Sequence, residues 1–205
     1  SSMQQCVTQN HRFRGLSTVE LIIVVALFAV LMFAVSESIA TFYRLNAYTI
    51  AQSYQVSTAR HGVEQLVRDL REMTFADDGT FPLVIMEEDR LAFFSDIDRD
   101  LSVEYVEYSL ASTTLIKRIY NATGTPPVYS TSTPYETVTL SEYVQNTLQG
   151  TPIFVYYDSD GNPATATTTV TDIRYIEASI IVNIDPIRDP GEYMLRSSAA
   201  LRNLQ

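Results

Sequence analysis

From Leu21 to Val35 the chain carries no polar side chain, and one residue earlier stands a carboxylate, Glu20. That run constrains the fold more than any other feature. As a helix, about 15 residues rise roughly 22 Å, against ~30 Å for a bilayer core. Adding Leu16 to Val19 brings the segment close to spanning length. The overall hydrophobic fraction of 46% is ordinary for a globular chain, so the apolar residues are unevenly spread. The expected organisation is one membrane segment and one soluble domain. His11, Arg12 and Arg14 precede the run, and acidic residues dominate after it. Basic residues on the N-terminal side predict an N-inside, single-pass topology with the C-terminal domain outside the cytoplasmic membrane.

The formal net charge of -10 argues against nucleic-acid binding by a general basic surface. The single cysteine, Cys6, permits neither an intramolecular disulfide nor a zinc cluster. It lies ahead of the apolar run, the wrong side for a lipid anchor of the lipoprotein kind. Only His11 and His61 are histidines. No nucleophile elbow, phosphate loop or metal cluster is visible in the sequence, and no enzymatic activity is expected.

Glu20 is the anomaly of the segment. A carboxylate at the centre of a membrane helix costs about 2.5–3.5 kcal/mol, less near an end. It is either a snorkelling, interfacial or protonated residue, or a carboxylate kept for a cationic partner in the membrane. A conventional signal peptide would be cut near Ala34-Val35-Ser36, but nothing turn-like comes after it, and Ser36 to Tyr43 reads on as helix.

Gly15-Leu16-Ser17-Thr18-Val19-Glu20-Leu21, after a basic leader and before a pure apolar run, resembles the class III signal of type IV prepilins and pseudopilins. The resemblance implies a cut by a prepilin peptidase between Gly15 and Leu16, with N-methylation of Leu16. It places Glu20 at the fifth mature position, where the family keeps a Glu that pairs with the free amine of a neighbouring subunit. The first mature residue departs from the usual Phe, and Ser17-Thr18 is more polar than usual. Looser matches at Leu91 to Asp98, at Phe154 to Asp158 before Gly161, and at Leu201 to Leu204 resemble the minor pseudopilins of the type II secretion J branch and the pilus W branch. The implied fold is pilin-like: α+β, a long N-terminal helix, membrane-spanning in its first half, packed on antiparallel sheet. The implied division is a leader over 1–15, a transmembrane half-helix over 16–36 and an extracytoplasmic domain over 37–205. The implied role is structural, priming or capping a pilus, secretion pseudopilus or DNA-uptake filament with other minor and major subunits at the inner membrane. A membrane-anchored receptor or adhesin shares the topology but has no need of Gly15 and Glu20 at that offset.

Beyond the membrane the residue pattern agrees. From Ser36 to about Phe75 there is no proline, and Val56, Ala59, Val63, Leu66, Val67, Leu70 and Met73 recur at helical spacing. Asp77-Asp78-Gly79 is the expected stop. Runs at Leu83–Ile85, Arg90–Phe94, Val103–Leu110 and Thr114–Tyr120 read as an antiparallel meander, Asn121 to Pro134 as a loop, and Ser141 to Leu148 as a short helix or polar connection. Ile153–Tyr157, Ile173–Ile184 and a tail strand from Met194 to Asn203 complete the sheet. His61, with only Glu64 near it in register, reads as an ordinary histidine.

Two acidic loops remain. Asp96, Asp98 and Asp100 stand at alternate positions before Glu104 and Glu107, as oxygens do in an EF-hand loop. They are the candidate calcium ligands. Leu101 occupies the place of the sharp-turn glycine and Arg99 puts a cation in the loop, so a plain acidic hairpin is the competing reading. The second loop, Asp158-Ser159-Asp160-Gly161-Asn162, reads as a turn.

Overall fold

The computed structural model describes residues 17–100, 102–165, 168–185, 187 and 191–201. Gly15, Leu16 and the basic residues before them lie outside these. The chain is α+β: one long helix is followed by antiparallel strands. Helix α1 runs Thr18–Arg71, with no proline and a single glycine, Gly62. The residues fall into two compact units that divide after Tyr48.

In the first unit α1 starts on a capped turn. The Val19 amide donates to Ser17 Oγ at 3.3 Å, and the Leu21 amide donates to the Ser17 carbonyl at 3.0 Å. Every residue from Ser17 to Ala47 is exposed. The most apolar 18-residue window of α1 reaches a mean hydropathy of 2.8 with none of it buried. By length and composition this helix can cross a membrane, and the core of a soluble domain is not what its apolar side chains meet.

In the second unit the remainder of α1 buries one face. Ala59, Val63, Leu66, Val67 and Leu70 point into the main core, which is the 3–4 spacing expected of an amphipathic helix. A five-stranded antiparallel sheet is ordered β1 (Leu83–Met86), β2 (Arg90–Ser95), β3 (Glu104–Ala111), β4 (Thr114–Tyr120), β7 (Glu136–Ser141). A two-stranded ribbon, β5 (Ala122–Thr123) and β6 (Val128–Tyr129), is inserted before β7. A one-turn helix, α2 (Asn146–Gln149), leads to a second antiparallel sheet. Its order is β10 (Tyr193–Ala200), β9 (Tyr175–Val182), β8 (Phe154–Tyr157). Leu91, Phe93, Val106, Tyr108 and Leu115 from the first sheet share the helix's core with Phe154, Ile176, Ala178, Ile180 and Val182 from the second.

Several local outcomes differ from the sequence reading. The helix stops at Arg71 because strand β2 captures the residues just beyond it: Met73 bridges Ser95, and the Thr74 amide donates to the Phe94 carbonyl at 3.0 Å. Met73 keeps its helical-phase burial without being helical. The Glu136–Ser141 segment, not foreseen as a strand, pairs along β4. For Ser141 to Leu148 the short-helix alternative is the one found: α2 runs one residue further, to Gln149, and begins at Asn146, which bonds to strand β9. Its Nδ2 donates to the Ser179 carbonyl and its Oδ1 accepts from the Ile181 amide, both at 2.8 Å.

Two buried polar clusters and one close glycine approach tie the elements together. Asp69 on α1 accepts from Lys117 Nζ on β4 and from the Tyr108 hydroxyl on β3, each at 2.5 Å, and the two charged side chains are 5% and 1% exposed. Gln52 donates to the Val182 carbonyl at 3.3 Å and accepts from the Ile184 amide at 3.1 Å. Gly62 lets α1 sit directly on β7: a Cβ there would lie 3.0 Å from both Leu140 Cβ and the Leu140 carbonyl oxygen.

Candidate functional site

Glu20 falls in the first turn of α1. With Ser17 as the cap, it occupies the third helical position, where a carboxylate faces the positive end of the helix dipole. This accounts for its tolerance at a helix start and was missed in the sequence, although Ser17-Thr18-Val19-Glu20 carries the capping-box pattern. The positions one turn on, Ile23 and Val24, are apolar, and the first basic residue further along the helix is Arg44. Glu20 is exposed. Its own helix therefore supplies a dipole and no downstream counter-charge within reach. Glu37, the next acidic residue, stands about 26 Å further along at 1.5 Å per residue. The two carboxylates bracket the apolar run. Gly15 and Leu16, the residues of the expected cut, lie outside the described residues.

The other site grows out of the β2–β3 connection. Ser95 pairs with Glu104, so residues 96–103 form the loop and Glu104 is the first residue of the returning strand. The structure brings Asp96, Asp98 and Glu104 together: one carboxylate oxygen from each lies within 4.8 Å of the others. Asp100 does not join them. Its Oδ1 accepts from the Ser102 amide at 2.5 Å and from Ser102 Oγ at 2.7 Å, which closes a local turn. Those hydrogen bonds hold the Asp100 carboxyl below its ordinary range. Asp98 Oδ1 accepts from the Asp100 amide at 3.1 Å. Glu104 is 2% exposed. One of its oxygens accepts from the Ile97 amide at 2.9 Å, while Oε1 is buried without a hydrogen-bond partner. Asp96 Oδ1 is likewise buried and unpartnered. Burial pushes the Glu104 carboxyl up, against the Ile97 amide that lowers it, and the charges of Asp98, Asp100 and Asp96 add to the rise.

Arg99, the one basic residue between Asp96 and Glu104, adopts φ 60° and reaches Glu72 at 3.0 Å instead of the cluster. The loop is further pinned where the Val103 amide donates to Asp77 Oδ2 at 3.1 Å and the Tyr129 hydroxyl donates to the Val103 carbonyl at 2.9 Å. Groups outside the loop thus hold it at Arg99 and at Val103.

The second acidic loop is a turn. Asp158 Oδ1 accepts from the amides of Asp160 and Asn162 at 2.9 and 2.8 Å, Oδ2 accepts from Asn162 Nδ2 at 3.3 Å, and Gly161 supplies φ 80°. Both oxygens are occupied by the chain itself. His61 lies on the surface of α1, 3.7 Å from Glu64, with no further ligand type in that pair.

No protein-family model matches this chain, and a search of curated proteins finds no match.

Proposed function

We propose that this chain is a structural subunit of the minor pilin or minor pseudopilin kind, anchored in the inner membrane by the first part of α1, with its α+β domain outside the cytoplasm. The observation that carries the reading is the apolar, wholly exposed start of α1 with Glu20 at its head. In a membrane, such a carboxylate needs a cation, and its own helix downstream offers none before Arg44. The free amine of a neighbouring subunit, generated by cutting between Gly15 and Leu16, has the right charge and stands only four residues from Glu20 in its own chain. A pair of this sort fixes register between subunits, since a misaligned neighbour leaves a charge unmatched in a medium of low dielectric. The partners are a prepilin peptidase and the other minor and major subunits of one filament. No catalysis is assigned to the chain.

Co-expression with and without a prepilin peptidase, followed by N-terminal mass spectrometry, tests this. A peptidase-dependent terminus at Leu16 carrying an N-methyl group is expected. An intact N-terminal segment would replace the reading with a plain signal-anchored receptor or adhesin, and a cut near Ser36 would make the domain a secreted one.

A further inference from the structure

We propose that Asp96, Asp98 and Glu104 hold a calcium ion in the β2–β3 connection. The inference is carried by the cluster's geometry together with its orphaned oxygens, and it does not depend on the filament role. Three carboxylates converge on one point, with ligand oxygens no further than 4.8 Å apart. Two oxygens on opposite sides of a calcium ion, each at 2.3–2.6 Å, stand roughly 5 Å apart, so one ion reaches all three.

The independent observation is Glu104. A strand residue at 2% exposure ordinarily has both oxygens hydrogen-bonded, yet Oε1 has no donor. Asp96 Oδ1 is orphaned in the same way beside it. A buried carboxylate oxygen without a donor costs free energy unless a cation meets it. The loop's own cation, Arg99, is committed to Glu72.

Asp100 shows the contrast within the same loop. It is exposed and its Oδ1 is already satisfied by Ser102, so it has no orphan to offer. The same contrast separates this loop from Asp158, both of whose oxygens accept from the turn. The ligand set is all carboxylate oxygen on an irregular loop, which suits calcium. Magnesium demands a near-ideal octahedron and keeps most of its water. Bound calcium would join the loop to the start of β3, and through Arg99 and Val103 to Glu72 and Asp77 beyond α1's end.

The test uses the full-length chain in non-ionic detergent micelles, stripped with chelator. Calcium and magnesium are titrated by calorimetry, and thermal unfolding is followed by circular dichroism at each concentration. Expected are saturable one-site calcium binding at or below the millimolar range of extracellular modules, a rise in Tm with calcium, and at least tenfold weaker binding of magnesium. Glu104→Gln and the double variant D96N/D98N should lose the calcium response, while Asp158→Asn should keep it. Without calcium, Glu104→Gln should melt at or above the wild-type temperature, because it removes a buried charge and keeps an acceptor for the Ile97 amide. That result also shows that its lost response is not a folding failure. No heat and no Tm shift at about 10 mM calcium, ten times the weak end of that range, would overturn the site. So would an unchanged response in Glu104→Gln, or a response removed by Asp158→Asn.

Discussion

Lys117→Met is the substitution whose cost can be worked most directly from the structure. Lys117 and Asp69 are 1% and 5% exposed and meet at 2.5 Å, so both charges are removed from water and each depends on the other. Replacing the ammonium by a thioether of similar reach keeps the stem's packing and leaves the Asp69 carboxylate buried. Its remaining side-chain donor is the Tyr108 hydroxyl. Truncating one partner of a buried pair costs about 3–5 kcal/mol. A hydrogen bond to a charged acceptor is worth about 1.5–3 kcal/mol. The surviving Tyr108 bond places the expected loss near the lower end, about 3 kcal/mol. Asp69→Asn should cost about as much, because it strands the ammonium. The double variant D69N/K117M removes both charges and leaves Tyr108 an amide acceptor, so it should fall within about 1–2 kcal/mol of wild type. The coupling energy is then about 4–5 kcal/mol, above the usual range for residues in contact because each single variant strands a buried charge. Urea unfolding of the full chain in micelles, followed by tyrosine fluorescence and circular dichroism, measures all four corners of the cycle. Single costs below about 1 kcal/mol, as for exposed pairs, or additivity within about 0.5 kcal/mol, would refute the claim that the pair is buried and mutually dependent.

Gly62→Ala ought to raise helix propensity by up to about 1 kcal/mol. The new Cβ meets the Leu140 backbone at 3.0 Å, so a net loss of about 1–2 kcal/mol is expected in a thermal melt. Alkaline pH should destabilise the domain: burial, first among the causes, holds the Tyr108 and Tyr156 hydroxyls above the usual tyrosine range. The stability they contribute is complete below the unfolded value of about 10 and is lost as pH rises through their folded values, because the unfolded chain ionises first. Absorbance at 295 nm followed alongside circular dichroism should therefore show their ionisation coinciding with unfolding. Glu20→Gln should leave the domain's melting temperature unchanged while reducing co-purification with filament subunits at least tenfold. Undiminished incorporation would remove the register role.

The helix and most strands were legible because their burial is periodic. Val63, Leu66, Val67 and Leu70 mark the helix's inner face, and Leu115 and Ile119 alternate into the sheet's. Lys117 stands in that same alternation, so its inward position was readable in principle. Its partner was not, since Asp69 lies 48 residues away on another element. Strand β7 was missed because four of the six residues in Glu136-Thr137-Val138-Thr139-Leu140-Ser141 are polar, at a sheet edge where solvent takes the outer face. In the acidic loop, alternation marked Asp96, Asp98 and Asp100. Closure of the hairpin put Glu104 in the third place and gave Asp100 to Ser102. Spacing records which oxygens are available, and the turn decides which of them converge.

Gln52 has a consequence for the order of folding. Both sheets are chiefly chains of neighbouring hairpins, whose contacts close short loops and form early. The two hydrogen bonds of Gln52 join residues separated by 130 and 132 positions, from α1 to the end of β9. Such a contact contributes little to a transition state made of local hairpins, and its free energy resides mainly on the native side of the barrier. Gln52 then works as a latch on the finished domain: loss of its two bonds should speed opening more than it slows closing.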